Sequence, residues 1–377
     1  MRYVRPTFYD KFRCIAQKCP ATCCRGWQIV IDPDSLKKYR LYGGEFGERL
    51  RRSVSWEEGT FLQYGGTCAM LNEEGLCDLY IQAGEAALCQ TCARYPRHME
   101  EFENVREYSL SVSCPEAARI LLEETEPFSF IVEDTPEEES FEEGFDFLLY
   151  TNLADAREVL FSVLQNRNLP FWERMLACLR LAGVIQNCLE QGDISGMEEA
   201  IARGTVQKED PDDRWVPQGP RYQRILEEWE VLYRLERLDP EWETLLEREK
   251  AFLLSCGKET YDRICLRFEQ LCTEKYPGRQ LWEHWMEKTA MSFVYTHFCG
   301  AVYDDAIHCK VWFAYFSVQW IRELLMMEWY VDGQRPDQES WITMTYRYAR
   351  ELEHLDQNLI SLDDYFWEKT HPDEKNS

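Results

Sequence analysis

The sequence contains no long apolar run. No stretch approaches the roughly 18 consecutive apolar residues of a membrane-spanning helix, and the longest uncharged, aromatic-rich stretch is Val311–Ile321. That length predicts a buried core helix, with peripheral contact to a membrane as the alternative. The first residues, Met1–Arg13, are polar and lack the apolar segment of a secretory signal. We therefore expect a cytoplasmic protein.

Basic residues are scarce relative to acidic ones. The 377 residues include 42 Lys and Arg against 68 Asp and Glu, which gives a formal net charge of −26. Such a surface repels the phosphates of nucleic acids and anionic lipids, so nucleic acid is excluded as a partner. The negative charge either only keeps the protein soluble or favours a basic partner, such as a lysine-bearing protein surface.

Several signatures of cofactor-binding folds are absent. The glycine-rich run Gly43–Gly47 has polar flanks and no preceding strand, so we interpret it as a turn. The Cys-x3-Cys-x2-Cys motif of radical S-adenosylmethionine enzymes is started by Cys19 and Cys23, but Gly26 stands at its third position. Strands and helices do not alternate, which argues against a doubly wound sheet.

Cysteine, in contrast, is abundant and unevenly distributed. Nine of the 16 cysteines lie in the first 114 residues, and seven are scattered over the rest. In a reducing compartment a disulfide framework is not expected, and clustered cysteines indicate metal ligands. Buried free thiols are the alternative. The nine are Cys14, Cys19, Cys23, Cys24, Cys68, Cys77, Cys89, Cys92 and Cys114.

The spacing of these cysteines bears on the kind of metal. Thiolates select zinc, copper(I) or iron–sulfur clusters, and Zn²⁺ and [4Fe–4S] sites each take four ligands. Zinc sites usually combine two compact Cys-x-x-Cys pairs, and only Cys89 and Cys92 have that form here. The looser spacing elsewhere favours an iron–sulfur cluster over Zn²⁺. Nine thiols allow one site with spare residues, or two sites.

Composition divides the chain into three parts. Residues 1–124 form a cysteine-rich domain interrupted by turn residues, in which metal bonds would contribute much of the folding energy. Residues 125–144 are predicted to be an acidic linker, since seven acidic and no basic residues lie between Glu133 and Glu143. Residues 145–377 form a helical domain.

Local patterns predict elements in both domains. In the cysteine-rich part they indicate strands at Trp27–Ile31 and Tyr108–Val112, and short helices at Ser35–Tyr42 and Pro115–Glu123. In the helical part, apolar residues recur every three or four positions and prolines separate the helical stretches. These stretches are Leu149–Val163, Met175–Leu189, Ile225–Leu235, two long helices between Leu281 and Tyr330, and one between Ser340 and Tyr365. The predicted fold is mainly α, with a small irregular cysteine-rich metal-binding domain before a helical domain.

The segments around the cysteines carry a family resemblance. They resemble the flagellin lysine-N-methylase family, and the Cys23-Cys24 pair is also similar to zinc- or iron-chelating CxxCxxCC proteins. Weaker likeness extends into the helical part. The segments are Phe12–Cys14, Cys19–Ile29, Gly75–Tyr80, Leu88–Arg97 and Leu110–Glu116, followed by Met286–Phe298 and Tyr348–His354.

The resemblance implies an S-adenosylmethionine-dependent protein-lysine N-methyltransferase that acts on flagellin, or another lysine-bearing protein, and needs a [4Fe–4S] cluster. The family's cysteine motif maps onto all nine cysteines. Our first choice of four ligands is the two tightest pairs, Cys19 with Cys23 and Cys89 with Cys92. Cys24 directly follows Cys23 and cannot easily reach the same metal edge, so it faces a second site or packs inside.

Other polar residues are weaker candidates. Arg94 and Arg97, close to Cys92, could neutralise a thiolate cluster or bind a cofactor carboxylate, and an ordinary structural salt bridge is the alternative. His98 is a further candidate ligand. Two pairs at helical spacing, Asp304 with His308 and Glu351 with His354, suit either metal sites or surface ion pairs, and we favour ion pairs.

Methylation of lysine requires a neutral amine, so an enzyme must desolvate or deprotonate it. We expect carboxylates and aromatic rings to do this where the two domains meet, and an iron of the cluster to bind S-adenosylmethionine. The main alternative is a non-catalytic zinc- or iron-binding adaptor or metal carrier. An electron-transfer protein is a third hypothesis, although the large helical part exceeds what electron transfer needs.

Overall fold

A computed structural model describes residues 1–137, 143–204 and 213–372 of the chain. Its strands are β1 (Arg2–Pro6), β2 (Val54–Ser55), β3 (Thr60–Phe61), β4 (Gln63–Tyr64), β5 (Thr67–Cys68), β6 (Arg97–Phe102), β7 (Val105–Leu110) and β8 (Phe130–Asp134). Its helices are α1 (Pro33–Leu41), α2 (Gly44–Arg52), α3 (Asp78–Ala83), α4 (Gln90–Arg94), α5 (Pro115–Glu123), α6 (Phe147–Leu164), α7 (Phe171–Glu190), α8 (Ile194–Arg203), α9 (Arg221–Arg234), α10 (Pro240–Gln270), α11 (Arg279–His297), α12 (Ala301–Asp304), α13 (Ile307–Asp332), α14 (Gln338–Glu353) and α15 (Asp356–Thr370). The fold is mainly helical, as the sequence predicts.

The long helices form where the apolar periodicity places them. The prediction is confirmed for α6, α7, α9, α11 and α13. Helix α13 is buried from Ile307 to Met327, so Val311–Ile321 is a core helix, as predicted. None of the helices in the described part of the chain has the length and apolarity needed to cross a membrane.

The single helix predicted between Ser340 and Tyr365 is wrong, because α14 and α15 are separate. The chain leaves the helix at His354 and is extended at Leu355. The side-chain amide of Asn358 donates to the carbonyls of Glu351 (2.8 Å) and Glu236 (2.9 Å). Asparagine side chains that bond the backbone compete with the helix, and here the competition is supported by a residue distant in sequence.

A four-stranded sheet lies against the helices in the order β6-β7-β1-β8, with only β1 and β7 parallel. The predicted strand near Tyr108 is confirmed as β7. The predicted linker 125–144 is wrong in part, because β8 pairs with β1 in the register Val4–Val132. Its acidic residue Glu133 forms an ion pair with Arg5, and its Phe130 packs on Phe161. Residues 138–142 of the predicted linker lie outside the described residues.

The predicted strand at Trp27–Ile31 is also wrong. This segment makes only an isolated bridge, between Val30 and Thr60, with one backbone bond on either side of it. Ile29 and Ile31 nevertheless point inward, whereas Val30 is exposed. The alternation is that of a strand, but the β3 partner is only two residues long. The two helices predicted in this part are confirmed as α1 and α5.

The described residues form two hydrophobic cores. The main core joins the helical body to the sheet and α5. The small core lies within residues 24–92 and includes Tyr39, Leu50 and Phe61, packed with Cys68 and Cys89. Part of the predicted 1–124 domain thus belongs to the main core, and the domain boundaries stay a prediction.

Candidate functional site

The nine N-terminal cysteines, all free thiols, are organised around the adjacent pair Cys23 and Cys24. These two thiols share a hydrogen bond. Together with burial it raises the pKa of Cys23, and it lowers the pKa of Cys24 to about 7. Through this pair the nine thiols separate into two sets.

The first thiol set comprises Cys14, Cys19, Cys23 and Cys114. After the Cys24 bond and burial, negative charge on Cys14 and Cys114 also raises the pKa of Cys23. Burial, with smaller effects of Cys19 and Cys14, raises the pKa of Cys114 to about 11. Cys114 directly precedes α5 as its N-cap residue, and its side chain makes no capping hydrogen bond to the first turn. A helix N-terminus stabilises a thiolate, which suits a metal ligand.

The second thiol set comprises Cys24, Cys68, Cys77, Cys89 and Cys92 and belongs to the small core. The Cys68 N–H donates to the Cys24 carbonyl (2.8 Å). Cys89 precedes α4 and Cys92 lies in it. Their shared hydrogen bond lowers the pKa of Cys89 and, with burial, raises that of Cys92, on which the charges of Cys24 and Cys23 also act.

The chemistry of both sets fits a thiophilic metal, although their geometry is not that of a closed site. Within the described residues, no three His, Cys, Asp or Glu side chains are arranged to hold one metal ion. The structure places Cys19 and Cys23 in the first set and Cys89 and Cys92 in the second. The charge of Cys23 also acts on Cys92, so the two sets adjoin at Cys23 and Cys24, and the choice of Cys19, Cys23, Cys89 and Cys92 as the four ligands stays a prediction.

Arg350 of α14 connects the first thiol set to the helical body. Its guanidinium donates to the carbonyls of Ala21 (2.6 Å) and Ser113 (3.1 Å) and lies 5.1 Å from the centroid of the Trp27 ring. Burial raises the pKa of Cys19, and the charge of Arg350 opposes this effect. Arg350 therefore has the neutralising position that the sequence suggested for Arg94 or Arg97.

Arg94 and Arg97 lie elsewhere. Arg94 is exposed at the end of α4. The guanidinium of Arg97 lies 5.0 Å from the centroid of the Phe12 ring, and it donates to the Phe12 carbonyl (3.5 Å). A cofactor-binding role for either residue stays a prediction.

His354 lies beside the first thiol set at the end of α14. Its ring is 4.1 Å from that of Trp27, and its Nε2 lies 2.8 Å from the hydroxyl of Ser113. The Tyr95 hydroxyl reaches the same Ser113 oxygen at 3.1 Å. Burial lowers the pKa of His354 to about 4, so its imidazole is neutral at pH 7.

A hydrogen-bonded chain continues from Ser113 into the helical body. The Ser113 and Ser111 hydroxyls are 2.6 Å apart, and Ser111 donates to Glu353 Oε2 (3.0 Å). The other oxygen of Glu353 lies 3.2 Å from Nε2 of His297, the last residue of α11. Against the effect of burial, this bond to His297 holds the pKa of Glu353 below its usual value. We call these residues the junction network; they are Tyr95, Ser111, Ser113, His297, Glu353 and His354.

The two ion pairs predicted at helical spacing are wrong. Asp304 binds Lys310 (2.6 Å), while His308 is buried against Thr370 (2.7 Å). Glu351 accepts backbone N–H groups of residues 238 and 239 instead of contacting His354. In each case a partner from another element is better placed than the helical neighbour.

His98 pairs with Glu100 at 2.6 Å rather than lying among the thiols. Sequence reasoning missed the junction roles of Ser113, His297 and Glu353. The signal was present but unspecific, since His297 and Glu353 fall within the two helical segments that resemble the family.

Comparisons with known proteins agree with the resemblance. The model of the FliB lysine N-methylase C-terminal domain matches residues 157–375. The lysine-N-methylase of Salmonella typhimurium is 32% identical over 126 residues, which are 31% of this chain and 31% of that protein. The flagellar biosynthetic protein FliU of Salmonella muenchen is 32% identical over 126 residues, which cover 31% of this chain and 75% of FliU.

The matched region thus spans about a third of the length of the lysine-N-methylases, and no solved structure matches the chain. The match to the C-terminal domain covers more than half of the chain. It includes α7 to α15, which carry Arg350, Glu353 and His297. The chain belongs to the FliB lysine N-methylase family.

Proposed function

We propose that the chain is a protein-lysine N-methyltransferase with flagellin as its substrate, S-adenosylmethionine as methyl donor and a [4Fe–4S] cluster as cofactor. The observation that carries the proposal is the match of the lysine N-methylase domain to the helical body. The contact of that body with the first thiol set, through Arg350 and the junction network, supports a functional link between metal and transferase. The protein would act in the cytoplasm.

The first thiol set would hold the cluster. Its four sulfurs match the ligand number of a [4Fe–4S] cluster, and Arg350 offers a compensating positive charge. If only three of the four sulfurs bound iron, the cluster would supply one Lewis-acid iron with an open position. The chain's own residues orient the site: Arg350 holds the loop at Ala21, and the rings of Trp27 and Tyr95 pack against each other 5.1 Å apart.

A ligand of the size of S-adenosylmethionine needs a cavity of about 300–1,000 Å³. Two cavities of about 790 and 680 Å³ lie along α6 and share Phe130, Val132 and Glu158. In the second, Asn104 Oδ1 is buried without a hydrogen-bond partner among the described residues. Such an acceptor could bind a polar group of the donor, because buried acceptors are normally satisfied.

A non-catalytic metal protein is the second candidate, and the small core favours it. The second thiol set lies inside that core, where a Zn²⁺ ion would stabilise the fold. This role could also accompany catalysis at the first set.

Anaerobic purification with iron, sulfide and zinc analysis, followed by incubation with flagellin and methyl-labelled S-adenosylmethionine, tests the proposal. We expect iron, sulfide and label on lysine. Unchanged transfer by folded, iron-depleted protein would exclude a role for iron. A colourless protein containing only zinc and transferring no methyl group would support the adaptor function.

A further inference from the structure

A cavity of about 200 Å³ lies beside His297, between the sheet and the helical body. It is below the roughly 300–1,000 Å³ of most cofactor sites, so it suits one side chain rather than a nucleoside. The side chains that determine its character are Glu100 of β6, His297 of α11, Tyr303 and Asp304 of α12, Phe313 of α13 and Asp363 of α15.

The polar wall of this cavity already binds one primary ammonium. Lys310 Nζ lies 2.6 Å from Asp304 Oδ2 and 2.6 Å from Asp363 Oδ2. Counted with Glu100, the lining has three carboxylates and one lysine, so negative charge is in excess as long as the His98 ring, which lies 2.6 Å from Glu100, is uncharged. A second ammonium would therefore be attracted to the cavity.

The remaining wall is aromatic and held in place. The Tyr303 hydroxyl donates to the Glu101 carbonyl (3.1 Å), and its ring stacks on Phe102. The Phe313 ring lies 5.0 Å from the ring of His297, which Glu353 holds on its other side. Aromatic faces stabilise a cation and exclude water from it.

We propose that this cavity, the amine cavity, receives the side-chain amino group of the acceptor lysine. The inference rests on the proposed methyltransferase function. The size fits an aminobutyl side chain, the charge fits its ammonium, and the junction network connects His297 to the first thiol set. A neutral side chain of the same length would lack the charge attraction.

Binding can be measured without catalysis through the six histidines of the chain. We would label their Cε1 atoms with ¹³C, assign His297 with a His297→Gln variant, and titrate the full-length protein with n-butylammonium chloride. The His297 resonance should shift and saturate. Glu100→Gln should weaken this binding about threefold to tenfold. Glu158→Gln, the same change in the cavities along α6, should leave it unaltered.

Three results separate this inference from the proposed function. A His297 shift that is absent, or equal with n-butanol, overturns the amine cavity. Flagellin methylation with an unchanged KM in Glu100→Gln also overturns it and leaves the methyltransferase function standing. Saturable binding of n-butylammonium by a protein that methylates no lysine overturns the proposed function and leaves a primary-amine site.

Discussion

Single residues connect the sheet to the helical body, and Glu107 of β7 with Arg157 of α6 is the clearest pair. Both side chains are less than 10% exposed, and the guanidinium makes two bonds to the carboxylate, of 2.6 and 2.5 Å. Removal of one partner from a buried pair leaves an uncompensated charge in the interior.

Arg157→Met should therefore lower the free energy of unfolding by about 3–5 kcal/mol, measured by urea denaturation. The double variant Glu107→Leu/Arg157→Met should recover much of this loss, because no charge remains buried. Arg203→Ala, which removes an exposed pair with Glu199, should cost less than about 0.5 kcal/mol. Equal losses in Arg157→Met and Arg203→Ala would contradict this account.

Lys288 of α11 is another buried charge. Its ammonium donates to the Glu126 carbonyl and lies 5.8 Å from the centroid of the Phe128 ring. Burial lowers the pKa of Lys288 to about 8, from 10.5. Between these values the unfolded chain binds more protons than the folded one, so this residue makes stability rise with pH.

Lys288→Met should consequently be more stable relative to wild type at pH 7 than at pH 10.5. The difference in unfolding free energy should fall by up to about 3 kcal/mol over that range. Chemical denaturation at several pH values measures it, and Lys258→Met, at an exposed position, controls for the lost charge. A constant difference would show that Lys288 does not lose its proton more readily in the folded state.

At the scale of elements, periodicity predicted the helices because each buries its own apolar face. Periodicity could not show where a residue distant in sequence ends a helix or limits the pairing of a strand. Asn358 separates α14 from α15 through a contact with Glu236, and Trp27–Ile31 alternates correctly but has too short a partner strand. Two of the acidic residues that suggested a linker, Glu133 and Asp134, lie in β8 and bind arginines of β1, more than 120 residues away.

Strand β8 gives the element-scale prediction. Backbone amides of Phe130–Asp134 that face β1 should be protected from deuterium exchange, although less than the central strand Arg2–Pro6, because β8 is an edge strand paired on one side only. Hydrogen-exchange mass spectrometry on the native protein measures both peptides. Fast exchange of residues 130–134 beside a protected β1 would restore the linker interpretation.

At the scale of the whole molecule, the cysteine pattern predicted a thiol-rich region but not its division. Cys23 and Cys24 are adjacent in sequence, yet one belongs with Cys114 beside the main core and the other with Cys68 in the small core. Spacing along the chain cannot resolve this, since partners of both sets are interleaved. The junction network and the amine cavity likewise depend on contacts between β6, α11 and α14.

The central claim is that the first thiol set holds the iron cluster on which lysine methylation depends. The most direct test measures iron content and methyl transfer to flagellin in Cys23→Ser and Cys24→Ser, prepared anaerobically, with Cys188→Ser as a control outside both sets. We predict that Cys23→Ser loses cluster iron and methyl transfer together, whereas Cys24→Ser and Cys188→Ser keep both. Loss of iron and activity in Cys24→Ser, with Cys23→Ser unaffected, would contradict the account.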